Sequence, residues 1–136
     1  MARRSKKTGK WKISAHAFYA ALHFAYQYGE WKKELSGLTD TSKAITYSDM
    51  PKGNINPDPT GDLVERREAL VRNVDLVERC AMEADPDLFK WIMWGVTNED
   101  VTFNTLKALK GIPCERDTYY DRRRKFYYLL SKKLGW

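Results

Sequence analysis

Cysteine and histidine are both scarce in this chain, with two of each among 136 residues. Cys80 and Cys114 lie in different segments and form no CxxC pair, which reads as two reduced thiols in an intracellular protein rather than a disulfide framework. With so few sulfur and imidazole ligands a structural zinc site has almost nothing to use. No apolar run approaches the roughly 20 residues that a membrane span needs, so no membrane partner is expected. The opening MARRSKKTGKWK is charged but leads into no apolar stretch, so it does not read as a secretory signal. Sustained two-residue alternation is missing, which argues against a sheet. Also missing are GxGxxG, the P-loop, HExxH and the nucleophile elbow. The chain therefore reads as a non-enzyme, with no catalytic residues, metal or cofactor expected.

What is present is folded-protein chemistry: 43% hydrophobic and 13% aromatic residues, enough for one core. The formal charge of +6 conceals a strong asymmetry. Residues 1–12 hold six Lys/Arg and no acid, residues 13–100 hold nine bases against fifteen acids, and residues 101–136 hold nine bases against three acids. A basic terminal segment is what a nucleic-acid binder needs to offset phosphate charge.

Spacing predicts an all-α protein, a helical bundle with a C-terminal helix-turn-helix. Residues 1–12 form a basic arm. A helical region follows over 13–100, and a DNA-binding module over 101–136. Within the helical region, an Ala- and aromatic-rich helix starts at about Ser14, with a break or kink at Gly29. Its apolar surface is too wide for one narrow face, which suggests a central element or a homo-oligomer interface at about 14–35. Gly, Pro, Asn, Asp, Ser and Thr collect at about 38–60 and predict a long loop. A strong helix capped by Thr60 or Asp62 then carries Leu63, Leu70, Val74, Val77, Ala81 and Ala84 at helical spacing. Asp85-Pro86 reads as the cap and first position of a short helix that buries Leu88, Phe89, Ile92 and one of Trp91 or Trp94, and stops at Gly95.

Thr97 or Thr102 opens the next helix, whose buried face is Phe103, Leu106 and Leu109 or Ala108. Gly111 ends it in a left-handed conformation, Ile112 plugs the corner, and Pro113 marks the break again. The last helix starts near Glu115. On a wheel Tyr119, Phe126, Tyr127, Leu130 and Leu134 form its core face, while Thr118, Asp121, Arg122, Lys125 and Lys132 lie opposite, with Arg124 at the edge. Arg123 falls on the apolar face. Either its stem packs while its guanidinium meets an acid of the helix at 62–87, or the true phase differs.

The stretch GIPCERDTYYDRRRKFYYLL resembles the terminal helix of the ArpU and RinA families of phage transcriptional regulators, which are themselves similar to region four of bacterial sigma factors. The resemblance covers roughly Leu88 to Leu134, and Thr118 to Phe126 is its most specific part. Phe103 and Leu106 match the first-helix core, Gly111-Ile112 the turn, and Tyr119-Tyr120 with Arg122 to Lys125 the recognition helix. Pro113-Cys114 departs from the small hydroxyl cap usual there.

The resemblance implies a sequence-specific regulator acting on double-stranded DNA in the cytoplasm of a bacterial host, with RNA polymerase as a further candidate partner. Lys107 and Lys110 are expected on phosphate. Arg116, Thr118, Tyr120, Arg122 and Lys125 are expected at the major groove, with Arg124 nearby. Two alternatives remain open. One is a DNA-packaging protein of the small-terminase kind. The other is a structural interaction protein docking its basic helix on an acidic partner. His16 and His23, seven apart, read as ordinary surface or satisfied side chains.

Overall fold

A computed structural model describes residues 11–48 and 59–136, with side chains for 11–38 and 61–136. The described residues contain helices and turns and no strand. Six α-helices follow in order: α1 (Ala15–Tyr26), α2 (Tyr28–Ser48), α3 (Pro59–Ala84), α4 (Phe89–Thr97), α5 (Phe103–Lys110) and α6 (Arg116–Lys133), with a 3-10 turn at Pro86–Leu88 before α4. The all-α bundle expected from spacing is the architecture observed.

The chain divides into two compact units, one made of residues up to Tyr28 together with Leu76–Trp136, the other of Gly29–Asp75. The C-terminal helices therefore do not stand as a separate module at 101–136. They share a core with α1 and α4, because α6 packs on α1 and α4, and α4 packs on α5 as well. In the second unit Arg66 donates both Nε and a terminal nitrogen to Glu34, at 2.7 and 2.8 Å, tying α3 to α2.

Local chemistry accounts for most helix ends. The Ser14 hydroxyl accepts from the Ala17 amide at 3.1 Å and starts α1. The break comes at Gln27 rather than Gly29, which lies inside α2 with open space around it. Of the loop expected at 38–60, residues up to Ser48 and from Pro59 onward are helical, and residues 49–58 lie outside the described residues. No proline interrupts the chain between Trp31 and Met50, and α2 runs on to Ser48, since Ser, Thr and Asp weaken a helix without stopping it. Pro59 opens α3, at the position where a missing N–H costs nothing. Asp85 Oδ1 accepts from the Asp87 and Leu88 amides at 2.9 and 3.3 Å, as the Asp-Pro signature predicted.

Gly95 does not end α4, which continues to Thr97. Gly95 is buried, and a β-carbon there would overlap the Tyr119 hydroxyl of α6. The glycine is a packing requirement rather than a stop. Thr102 caps α5, and Gly111 ends it in the left-handed region at φ 61° with Ile112 buried behind the corner. Leu106 is the buried residue of α5. Ala108 and Leu109 are exposed, Leu109 by 72%, contrary to the face expected for them, because the eight-residue helix presents little more than one turn to α4. Trp94 is exposed as well and Trp91 half-buried, while Leu88 and Ile92 fill the interior.

Candidate nucleic-acid interface

Helix α6 determines what this region can do. Tyr119, Arg123, Phe126, Tyr127 and Leu130 are buried, so the expected phase is the observed one, while Leu134, also expected on that face, caps the helix end and is half-buried. A second buried stripe, Arg124, Tyr127 and Ser131, lies alongside it. It arises because α6 packs on α1 as well as on α4, and Trp11, from the segment before α1, covers Arg124. The Phe18 and Tyr127 rings meet edge to face at 5.0 Å, and Trp11 packs against Tyr128 at 5.6 Å. Thr118 and Asp121 remain exposed, Arg122 and Lys125 half-buried, and Lys132 exposed, at the three- and four-residue intervals of one outward stripe.

The eight expected contact residues fall into distinct settings. Lys107 and Lys110 are exposed on the last turn of α5. The Lys110 ammonium sits 3.8 Å from the centre of the Trp94 ring, and Trp91 Nε1 donates to the Lys110 carbonyl at 3.0 Å, so α4 holds this end of α5. Arg116 and Thr118 are exposed in the first turn of α6. Arg116 lies over the Tyr120 ring at 5.8 Å, and the half-buried Tyr120 accepts from the Phe103 amide at 3.3 Å. Tyr120 thus braces α6 against the start of α5. Arg122 is oriented by two carboxylates, Asp121 at 2.6 Å and Asp85 at 3.2 Å. The Lys125 ammonium lies 5.1 Å from the Trp11 ring centre.

Arg124 is the correction. Expected at the edge of the exposed half, it is only 6% exposed, and its Nε donates to the Trp11 carbonyl at 2.6 Å. A buried guanidinium needs good partners to offset desolvation, and a backbone carbonyl is one. Arg124 therefore leaves the set of outward residues. Trp11, expected within the basic arm at 1–12, instead packs on α6. Residues 1–10 lie outside the described residues.

Arg123 keeps the place the wheel assigned it, over the Tyr120 and Tyr127 rings at 4.9 and 5.6 Å. It lines a cleft of about 420 Å³ with Tyr26, Phe103, Arg116 and Tyr120, and the carboxylates there are Glu99 and Asp100 of the segment after α4, not acids of the helix at 62–87. Burial pushes the Tyr119 hydroxyl up to about 12, with the Arg123 charge opposing that shift. Burial raises Tyr26 as well.

Two features escaped sequence reasoning. Asp85 serves the cap and Arg122 at once, which no local pattern reveals across 37 residues. Trp11 anchors the N-terminal approach, and the only signal for it was a lone tryptophan between cations just before a capped helix. Compared with family models, curated proteins and solved structures, the chain matches none. Among the described residues no helix is long and apolar enough to cross a membrane.

Proposed function

We propose that this chain is a sequence-specific, duplex-DNA-binding regulator of transcription of the phage or prophage kind, with α5, the Gly111 turn and α6 as its helix-turn-helix. The observation that carries the reading is the outward stripe of α6. The helix packs on both α4 and α1, yet Thr118, Arg122, Lys125 and Lys132 stay at the surface, within a segment of net charge +6. A supporting helix behind both members of the pair leaves the second helix rigid and free to enter a major groove. The resemblance to the ArpU and RinA regulators supports the same assignment.

In this reading Lys107 and Lys110 take backbone phosphates and set register. Arg116, Thr118 and Lys125 approach base edges, and Arg122 joins them with its guanidinium already aimed by Asp85 and Asp121. Tyr120 supports Arg116 instead of reading a base itself. The protein would act in the bacterial cytoplasm. The test is selection from random duplex DNA. Enrichment of a short common sequence is expected, and recovery of an unenriched pool would leave at most non-specific binding.

One observation favours a second reading, that of an interaction protein. Leu109 is 72% exposed on the same turn as Lys107 and Lys110, and an apolar side chain among cations suits a protein surface, RNA polymerase included. Leu109→Ser separates the two, since it should leave DNA affinity unchanged and weaken only a protein contact. The packaging alternative predicts a ring-sized oligomer, which solution mass measurement would reveal.

A further inference from the structure

Exposed Glu99, Asp100 and Arg116 line the cleft beside Arg123, and among the described residues none of these three side chains forms an ion pair or a hydrogen bond. The acids come from the connection between α4 and α5, and Arg116 from the first turn of α6. Tyr26, Phe103 and Tyr120 line the same cleft, each half-buried, so aromatic surface adjoins the charges. The Tyr120 ring is fixed in place: its hydroxyl accepts from the Phe103 amide at 3.3 Å, and Arg123 and Arg116 lie 4.9 and 5.8 Å from its centre. Burial raises the Tyr26 hydroxyl, Arg123 opposes the rise, and Glu99 and Asp100 add to it, so both acids act on the aromatic part of the cleft.

A volume of about 420 Å³ is at the small end for ligand clefts and suits a small molecule. The charges then select among small molecules. A purely anionic compound meets Arg116 but is repelled by Glu99 and Asp100, and a purely cationic one meets the reverse. A dipolar compound satisfies both signs at once, and the rings favour a planar apolar body beside them. An α-amino acid with an aromatic side chain is the simplest molecule of that description.

We infer that this cleft is an effector site for a small zwitterion with an aromatic body, its carboxylate taken by Arg116 and its ammonium by Glu99 and Asp100. The planar guanidinium fork suits a carboxylate. Tyr120 supplies ring surface, and buried Arg123 is a positioning residue that acts through Tyr120. Arg116 is also assigned to base edges, so an occupied cleft withdraws it from DNA, and effector and duplex each weaken the other's binding. That coupling rests on the DNA-binding reading, whereas the site itself does not.

The probes are L-phenylalanine and two charge-deleted analogues, phenethylamine without the carboxylate and hydrocinnamate without the ammonium. Each is titrated by calorimetry into the full chain as wild type, as Arg116→Ala, and as Glu99→Gln combined with Asp100→Asn, with a melting curve for every variant. The substituted side chains have no ion pair to lose, so the variants should melt like wild type. Wild type should bind L-phenylalanine about fivefold or more tighter than either analogue, as charge-assisted hydrogen bonds require. Neutralising the acids should erase the preference over hydrocinnamate and keep the preference over phenethylamine. Arg116→Ala should do the reverse.

No binding of L-phenylalanine to wild type, or a preference for it that survives in both variants, would overturn the site. A second arm measures duplex affinity with and without saturating L-phenylalanine. Affinity should fall by about fivefold or more in wild type and stay unchanged when the acids are neutralised. Unchanged duplex affinity in wild type that binds the amino acid would overturn the coupling. If wild type binds no duplex at all, the DNA reading fails, and the exchange of preferences between the two variants still decides the site.

Discussion

The Tyr119 hydroxyl occupies the space where a β-carbon on Gly95 would lie. Helix α4 can therefore approach α6 at this point only because residue 95 has no side chain. Two effects compete at this position. Replacing a mid-helix glycine by alanine gains about 1 kcal/mol in helix propensity, whereas overpacking a filled core costs about 1–3 kcal/mol. Gly95→Ala should accordingly lower the melting temperature. In the Tyr119→Phe background the same change should cost less, or even stabilise. Equal losses in both backgrounds would show that the hydroxyl is not the obstacle.

Asp85 and Arg122 make a second separable pair. Asp85→Ala removes both the cap on the turn before α4 and the partner of Arg122, and should cost about 1–2 kcal/mol. Arg122→Ala breaks a partly exposed ion pair and should cost less than about 1 kcal/mol. It should nevertheless reduce affinity for the selected DNA by about 1–3 kcal/mol if the guanidinium reads a base. Chemical denaturation and a binding isotherm on the two variants suffice. A large stability loss from Arg122→Ala with unchanged DNA binding would make the residue purely structural.

How much of this was legible follows from how local each signal was. The Asp85-Pro86 cap, the Gly111 turn and the burial of Tyr119, Phe126 and Leu130 could be read from spacing, because each depends on residues within a few turns. Arg123 also fell on the predicted face. Arg124 did not, since a wheel shows one helix and cannot show that Trp11 arrives from the other end of the chain to cover a second stripe. Gly95 looked like a stop because its reason for being glycine lies 24 residues away, in Tyr119. The helical extent of 38–48 was hidden by turn-forming residues that tolerate a helix without favouring one.

The core of α6 allows a contrast between two aromatic neighbours. Phe126 is fully buried, and Phe126→Ala should destabilise by about 3–5 kcal/mol. Tyr127 is equally buried, but among the described residues its hydroxyl has no hydrogen-bond partner. Removing an unsatisfied polar atom while keeping the ring costs little, so Tyr127→Phe should be neutral or stabilising by up to about 1–3 kcal/mol. A clear loss on Tyr127→Phe would mean that the hydroxyl is satisfied in solution.

The two thiols should differ in reactivity. Burial pushes Cys80 up from 9.0 to about 12, while Cys114 is half-buried with a smaller rise from the same cause. Under native conditions at neutral pH a thiol reagent should label Cys114 slowly and leave Cys80 untouched, and denaturation should expose both. The same shift has a stability consequence. An unfolded thiol ionises near 9.0 while folded Cys80 stays protonated to about 12, and Tyr119 behaves alike between 10.0 and about 12. Their contribution is complete below pH 9 and is lost as pH rises through that window, so the melting temperature should fall steeply there. Rapid native labelling of Cys80 would contradict its burial.

The central claim is that a cationic face of this fold binds duplex DNA. It is tested most directly by the affinity of the full chain for one duplex between about 50 and 200 mM salt. Neutralising six to ten phosphates would lower affinity by about 10³–10⁵ across that range, along a straight line of log affinity against log salt. A steep linear fall is the predicted result, shallower in Lys125→Ala than in wild type. Binding that stays flat across the range, or no binding at the lowest salt, would contradict the account.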